Sequence, residues 1–279
     1  MYINSLVQKI SSPDLYLYAD DLKIFRKISI EEDIDNLQRN LDKMYDWTCY
    51  SLLRFHPDKC VTMRLMQSRA NKQELGGLKG HYNMDEVVLK TVVNEKDLGV
   101  SFDDSLTFEN HIYSKVNKAN GMVGMIRRSF TYMDKDMFKQ LFVSIVRPHL
   151  EYGAPVWNPY LKKLIRVIEN VQRRASKMVP GLGNLSYKER LKTLKLPTLV
   201  YRRYRGDMIE TFKLTHGLYD KNVSQNFLST KSPHNENRGH INTLFIKKTA
   251  RRIFESSFSK TVLPTNGTIY QRGSLMHHH

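Results

Sequence analysis

The sequence predicts an α+β protein in which a small sheet-bearing part precedes a longer, basic, helical part. Three observations carry this. Short runs of aromatic and branched residues, broken by turn residues, fill the first hundred positions. After Phe108, apolar residues recur at spacings of three and four over long stretches. The charge also shifts along the chain: residues 1–60 hold 8 basic and 10 acidic side chains, residues 61–126 hold 8 of each, residues 127–213 hold 19 and 7, and residues 214–279 hold 9 and 3.

Each element follows in order. Residues 15–18 (LYLY) and 22–26 (LKIFR) flank Ala19-Asp20-Asp21 and read as a β-hairpin. Over 31–48, Ile34, Leu37, Leu41 and Met44 form one apolar helical stripe, with Trp47 near its end. Pro57 stops any continuation, and Val61–Met66 reads as a strand. Residues 67–83 are polar and contain glycine, the signature of an exposed loop. Val87–Val93 and Leu98–Phe102 read as two further strands. Helical patterns then cover 109–130, 134–150, 159–178 and 198–216, with turns at Tyr152-Gly153-Ala154-Pro155 and Pro180-Gly181-Leu182-Gly183. Residues 220–242 read as loosely ordered, and a short basic helix is expected over 245–258.

Composition excludes several classes. No run reaches the about 18 to 20 apolar residues of a membrane span, and the first residues lack the basic-then-apolar order of a secretory signal. Cys49 and Cys60 are too few for a disulfide framework. An intracellular protein, nuclear or cytoplasmic, is expected. His56 and Cys60 lack a second ligand pair for zinc. A formal charge of +16, concentrated beyond residue 126, points to a polyanionic partner. Arg127, Arg128, Arg173, Arg174, Lys177, Arg202, Arg203 and Arg205 are the candidate phosphate contacts, with Tyr201 and Tyr204 interleaved for stacking.

Asp20 and Asp21 are the candidate catalytic pair. Adjacent carboxylates at a hairpin tip repel each other, and that charge becomes useful if it holds a hard divalent cation such as Mg²⁺. Asp is also a common turn former, so the spacing alone leaves both readings open.

The surroundings narrow the choice. Tyr18-Ala19-Asp20-Asp21, within LYLYADDLKIFRKI, resembles the YADD catalytic hairpin of reverse transcriptases of LINE-type, non-LTR retrotransposons. LQRNLDKMYDW (37–47), LRFHPDKC (53–60), EKDLGVSFDDSLTFENHI (95–112), RPHLEYGAPVWNPYLKK (147–163), VQRRASKMV (171–179) and NRGH (237–240) with Arg251-Arg252-Ile253-Phe254 are similar, in order, to later segments of that family. The resemblance runs from about residue 1 to 262 and departs after Leu263.

The resemblance implies a partial palm over 1–105 with antiparallel hairpins, a helical thumb and post-thumb region over 106–216, and a basic C-terminal extension over 217–279. It implies RNA-directed DNA synthesis with two Mg²⁺, with Asp20 and Asp21 as metal-binding catalytic residues and Lys59 as a proton donor to pyrophosphate. Tyr18, Leu98 and Gly99 would touch nucleic acid, the last two as a primer grip. Partners would be an RNA template and a DNA primer, without a membrane or small-molecule cofactor. Met1 lies 17 residues before Tyr18, so the family's first palm aspartate, its fingers and its glutamine-glycine motif are expected to be missing. Asp14 would lie about 20 Å from Asp20 along an extended strand and does not replace that ligand. The chain alone is therefore expected not to polymerise. The alternatives are a non-enzymatic RNA- or DNA-binding protein and the relic of a decayed mobile element.

Overall fold

A computed structural model of the protein describes Leu6, residues 15–19, 21–51, 54–55, 59–65, 80–219 and 268–276. The chain is a mixed α+β protein that divides into two compact units, residues 1–96 with 102–106 and 258–279, and residues 97–101 with 107–257. Among the described residues, no helix is long and apolar enough to cross a membrane.

In the first unit, β1 (Leu15–Tyr18) and β2 (Asp21–Lys27) form the expected hairpin. Tyr18 pairs with Asp21 and Leu15 with Ile24. The loop is therefore two residues long, and Asp21 belongs to the strand rather than the turn. Ala19 takes a left-handed φ of 53°, which lets so short a loop follow the twist of its strands.

Helix α1 (Glu31–Ser51) follows. Its first turn is acidic (Glu31, Glu32, Asp33), complementing the positive end of the helix dipole. The Asp33 carboxylate accepts from the Ser29 and Ile30 N–H groups at 2.8 and 3.1 Å. The stripe Leu37, Leu41, Met44 and Trp47 is buried against Leu22, Ile24 and Ile28 of the hairpin. Each such side chain contributes about 1.5–3 kcal/mol by leaving water.

The remaining strands are β3 (Arg54–Phe55), β4 (Val61–Leu65), β5 (Asn83–Met84), β6 (Val87–Val88), β7 (Lys90–Val92), β8 (Asn94–Asp97), β9 (Val100–Asp103) and β10 (Thr268–Met276). The main sheet runs β1-β2-β10-β4-β7, with β10 antiparallel to both neighbours and β4 parallel to β7. The sequence reading contains no strand at β10, because an internal glycine and several polar residues weaken its pattern. The exposed loop expected over 67–83 does not extend to its end: Tyr82 and Met84 are buried in the core, and β5 pairs with β6. Residues 66–79 lie outside the described residues. Val87–Val93 is two short strands, with the buried Leu89 between them.

The second unit is helical. It comprises α2 (Glu109–Ser129), α3 (Lys135–Leu141), a π-helical turn (Phe142–Val146), α4 (Arg147–Glu151), α5 (Ala154–Trp157), α6 (Lys162–Ala175), a 3₁₀ turn (Ser176–Met178), α7 (Tyr187–Leu194) and α8 (Leu199–Thr215). The helical pattern over 134–150 is thus interrupted by a π turn. Pro148 has no N–H for the Ser144 carbonyl, which favours an irregular turn there. The apolar stripes fill the interior: Phe138, Phe142 and Val146 from one run, Leu164, Ile168 and Val171 from another.

Helices α2 and α6 lie parallel. Lys163 contacts Glu109 at 2.7 Å and Arg174 contacts Asn120 at 2.8 Å, so both pairs advance by the same eleven residues. Helix α8 is capped twice. Thr198 accepts from the Tyr201 N–H, and the buried Glu169 of α6 accepts from Leu199 and Val200 N–H at 3.3 and 3.1 Å.

Candidate nucleic-acid interface

The predicted metal site is described only in part. Asp21 opens β2, half-buried, between Tyr18 on β1 and Ser274 on β10. Tyr18 is 64% exposed. Asp20 lies outside the described residues, as do Asp14, His56 and Asp58. Lys59 is exposed just ahead of β4. Among the described residues, no three carboxylate, histidine or cysteine side chains converge as a metal-binding group. Asp21 by itself does not make up a site for two ions. Cys60 is buried, and that burial raises its thiol pKa to about 11, leaving it an unreactive core residue.

Leu98 and Gly99 form a turn rather than the start of a strand. Both have positive φ, 43° and 82°, and they join β8 to β9 as a two-residue hairpin loop. Two contacts hold this turn within its own unit. The Tyr152 hydroxyl donates to the Leu98 carbonyl at 2.9 Å. The Tyr152 ring lies so close to Gly99 that a Cβ there would sit 3.1 Å from it. A third contact fixes β9: the Ser101 N–H donates to His111 Nδ1 at 3.0 Å. His111 is buried, and burial with the Lys115 charge lowers its pKa to about 4, so it is neutral at pH 7 with its proton on Nε2.

The basic residues separate into three groups. Arg127 and Arg128 are exposed in the last turn of α2, where cations complement the helix dipole. Arg173, Arg174 and Lys177 are exposed at the end of α6 and just beyond it. Arg173 stacks 4.7 Å from the Tyr187 ring centroid, and Arg174 is held by Asn120. Because α2 and α6 run parallel, both basic ends lie toward the same end of the helical unit. Arg205 is exposed on α8, with Tyr201 and Tyr204 at 60% and 59% exposure.

Arg202 and Arg203, expected to contact phosphate, are engaged within the protein instead. Arg203 is only 3% exposed. Its Nε donates to Asn158 Oδ1 at 3.2 Å, and Asn158 in turn donates to Asp207 at 2.6 Å. Burial pulls the Arg203 pKa down and pushes that of Asp207 up to about 6. Arg202 forms a fork with both Glu151 oxygens, its Nη2 at 2.9 Å, and Arg147 approaches the same carboxylate at 3.5 Å. These two arginines tie helices together instead of facing a phosphate backbone.

Tyr152 was legible in the sequence only as part of a turn, since its partner lies 54 residues away.

No protein-family model matches the chain, and no solved structure matches it. Over 123 residues it is 29% identical to an uncharacterized protein of Caenorhabditis elegans, a stretch covering 43% of this chain and 61% of that protein. The chain thus spans about three fifths of the length of this curated relative.

Proposed function

We propose that the chain carries the YADD hairpin, thumb and C-terminal extension of a LINE-type reverse transcriptase, and that its own share of the reaction is to grip template and primer. The hairpin carries the reading. A two-residue loop brings Asp21 to the first pair of β2, in a chain whose other family-like segments follow in order. The exposed arginines at the ends of α2 and α6 support it, because a helical surface of one sign suits sequence-independent contact with a phosphate backbone.

Asp20 and Asp21 are the residues that would hold Mg²⁺, Lys59 the one that would serve the departing pyrophosphate. No position of the 279 matches the family's first palm aspartate. Two-metal transfer needs ligands from more than one strand, so the chain by itself is expected to bind a primer–template without extending it.

The test is a pair of assays on the purified chain with an RNA template, a DNA primer, Mg²⁺ and deoxynucleotides. Tight, salt-sensitive binding with no product is the expected outcome. Template-dependent extension would overturn the catalytic incompleteness. Failure to bind at low salt would overturn the reading as a whole.

A further inference from the structure

We infer that the outer face of α8 is a stacking platform for an unpaired nucleic-acid strand, built from Tyr201, Tyr204, Met208, Phe212 and His216 around Arg205. The platform rests on the function proposed above, to which it adds a place for a strand that is not paired.

Spacing puts these side chains on one side of the helix. Steps of three, four and four residues separate Tyr201, Tyr204, Met208 and Phe212, and His216 follows four further on. At a rise of about 1.5 Å per residue, the stripe from Tyr201 to Phe212 runs about 16 Å. Arg203 and Asp207 lie on the inner side, the first buried and the second bonded to Asn158. The stripe itself faces water: Tyr201 and Tyr204 are 60% and 59% exposed, Met208 70% and Phe212 54%. A row of large apolar side chains held in water marks a binding surface, because a partner that covers it recovers the cost of their hydration. At one end, the Phe212 and His216 rings already stack, with centroids 3.8 Å apart and planes 21° from parallel. The His216 Nδ1, 3.0 Å from the Phe212 carbonyl, fixes that pair.

Charge and area decide the occupant. Arg205 stands within the stripe, exposed and without a partner among the described residues. The carboxylates of α8 are engaged elsewhere, Asp207 by Asn158 and Glu210 by Lys213 and the Tyr219 hydroxyl. Residues 127–213 hold 19 basic and 7 acidic side chains, so a second copy of the chain would bring the same positive excess against this face. A helix of 17 residues also offers a footprint of only about 25 by 10 Å, well short of the about 800 Å² per partner of a stable dimer. A single strand answers both features, with base faces for the rings and a phosphate for Arg205. A duplex keeps its base faces inside its own stack, so the rings select the unpaired strand.

Fluorescence anisotropy with the full chain tests this on two labelled probes, a short oligouridine and a blunt-ended RNA–DNA duplex. The wild type is expected to bind both. Tyr201→Ala, Tyr204→Ala and Phe212→Ala should each weaken oligouridine binding about five-fold or more and leave duplex affinity unchanged. Tyr201→Phe and Tyr204→Phe keep the ring and should bind as the wild type does. Arg205→Gln should flatten the slope of log K against log salt by about 0.7 on the single strand. Urea midpoints of these variants should stay at the wild-type value, because the side chains are exposed. Cross-linking of the wild type gives a readout independent of any folding defect: 4-thiouridine in the probe should mark Tyr201, Tyr204 or Phe212. Oligouridine binding that survives all three alanine variants, or cross-links confined to other helices, overturns the platform and leaves the duplex grip in place. So does a wild type that holds the duplex but not oligouridine. Dimerisation in sedimentation velocity that Met208→Asp abolishes would put a second copy on this face and overturn the platform as well. If the wild type binds neither probe, the platform and the proposed function fall together.

Discussion

His111, buried, and Asp207, half-buried, are titratable groups of the same helical unit, and they pull stability in opposite directions with pH. Burial lowers the His111 pKa to about 4 from its ordinary 6.5. The unfolded chain therefore binds a proton that the native state refuses between those values, so this stability is present above pH 6.5 and lost as pH falls toward 4. Burial raises the Asp207 pKa to about 6 from 3.8. Its protonated form favours the fold, a contribution present below pH 3.8 and lost as pH rises through 6. The two largely cancel between pH 4 and 6. In Asp207→Asn the opposing contribution is gone, and the His111 share alone should make stability fall by about 2 kcal/mol from pH 6.5 to 4.5 in thermal unfolding. In His111→Asn, whose amide oxygen can still accept from Ser101, the slope should reverse, with stability rising as pH drops. Equal pH profiles for the two variants would contradict the assignment.

Residue adjacency in sequence also shows why part of the candidate interface was legible and part was not. Arg127 and Arg128 end a helix, and nothing C-terminal in that helix covers them; sequence suffices to place them at a surface. Arg202, Arg203 and Arg205 look like one cluster on paper. Successive helical residues point about 100° apart, so Arg203 turns away from the side that Arg202 and Arg205 share. Which of them turns inward depends on Asn158 and Glu151, 45 and 51 residues away. Side-chain periodicity cannot report such partners.

At the scale of elements, long apolar stripes identified their helices, whereas short elements built on local hydrogen bonds escaped notice. Helix α7 is eight residues long and starts with a capping box, in which Ser186 and Glu189 satisfy each other's backbone N–H groups. The Ser186-x-x-Glu189 spacing was the signal available for it. Helix α8 depends on a cap from another helix, Glu169, which also accepts from the Tyr187 hydroxyl at 2.5 Å. Glu169→Ala removes the acceptor for three donors and should cost about 3 kcal/mol in chemical denaturation. Two glycines in α2 and α8 offer the opposite change. A Cβ at Gly121 or Gly206 meets nothing within 4 Å, and neither has a positive φ. Replacing each by alanine should raise stability by about 0.5–1 kcal/mol. Gly99→Ala should lower it, since φ is 82° there and the Tyr152 ring is in the way.

For the whole molecule, a +16 charge does not translate into sixteen available cations, and the salt dependence of the proposed nucleic-acid binding would count the difference. Each phosphate neutralised by a side chain adds about 0.9 to the slope of log K against log salt. Arg202 is committed to Glu151 and Arg203 is buried, so neither contributes to that slope. Arg127→Gln and Arg128→Gln should each reduce it by about 0.9 with little change in unfolding midpoint, because both side chains are exposed. Arg203→Gln should leave the slope unchanged and lower the midpoint, because Arg203 is itself buried and its loss leaves Asn158 Oδ1 without that donor and the half-buried Asp207 carboxylate without a neighbouring cation. Anisotropy titrations at four salt concentrations, paired with urea denaturation of the same variants, separate the two behaviours. A slope that drops for Arg203→Gln as much as for Arg127→Gln would mean that α8 reorients to expose its buried arginine on the nucleic acid.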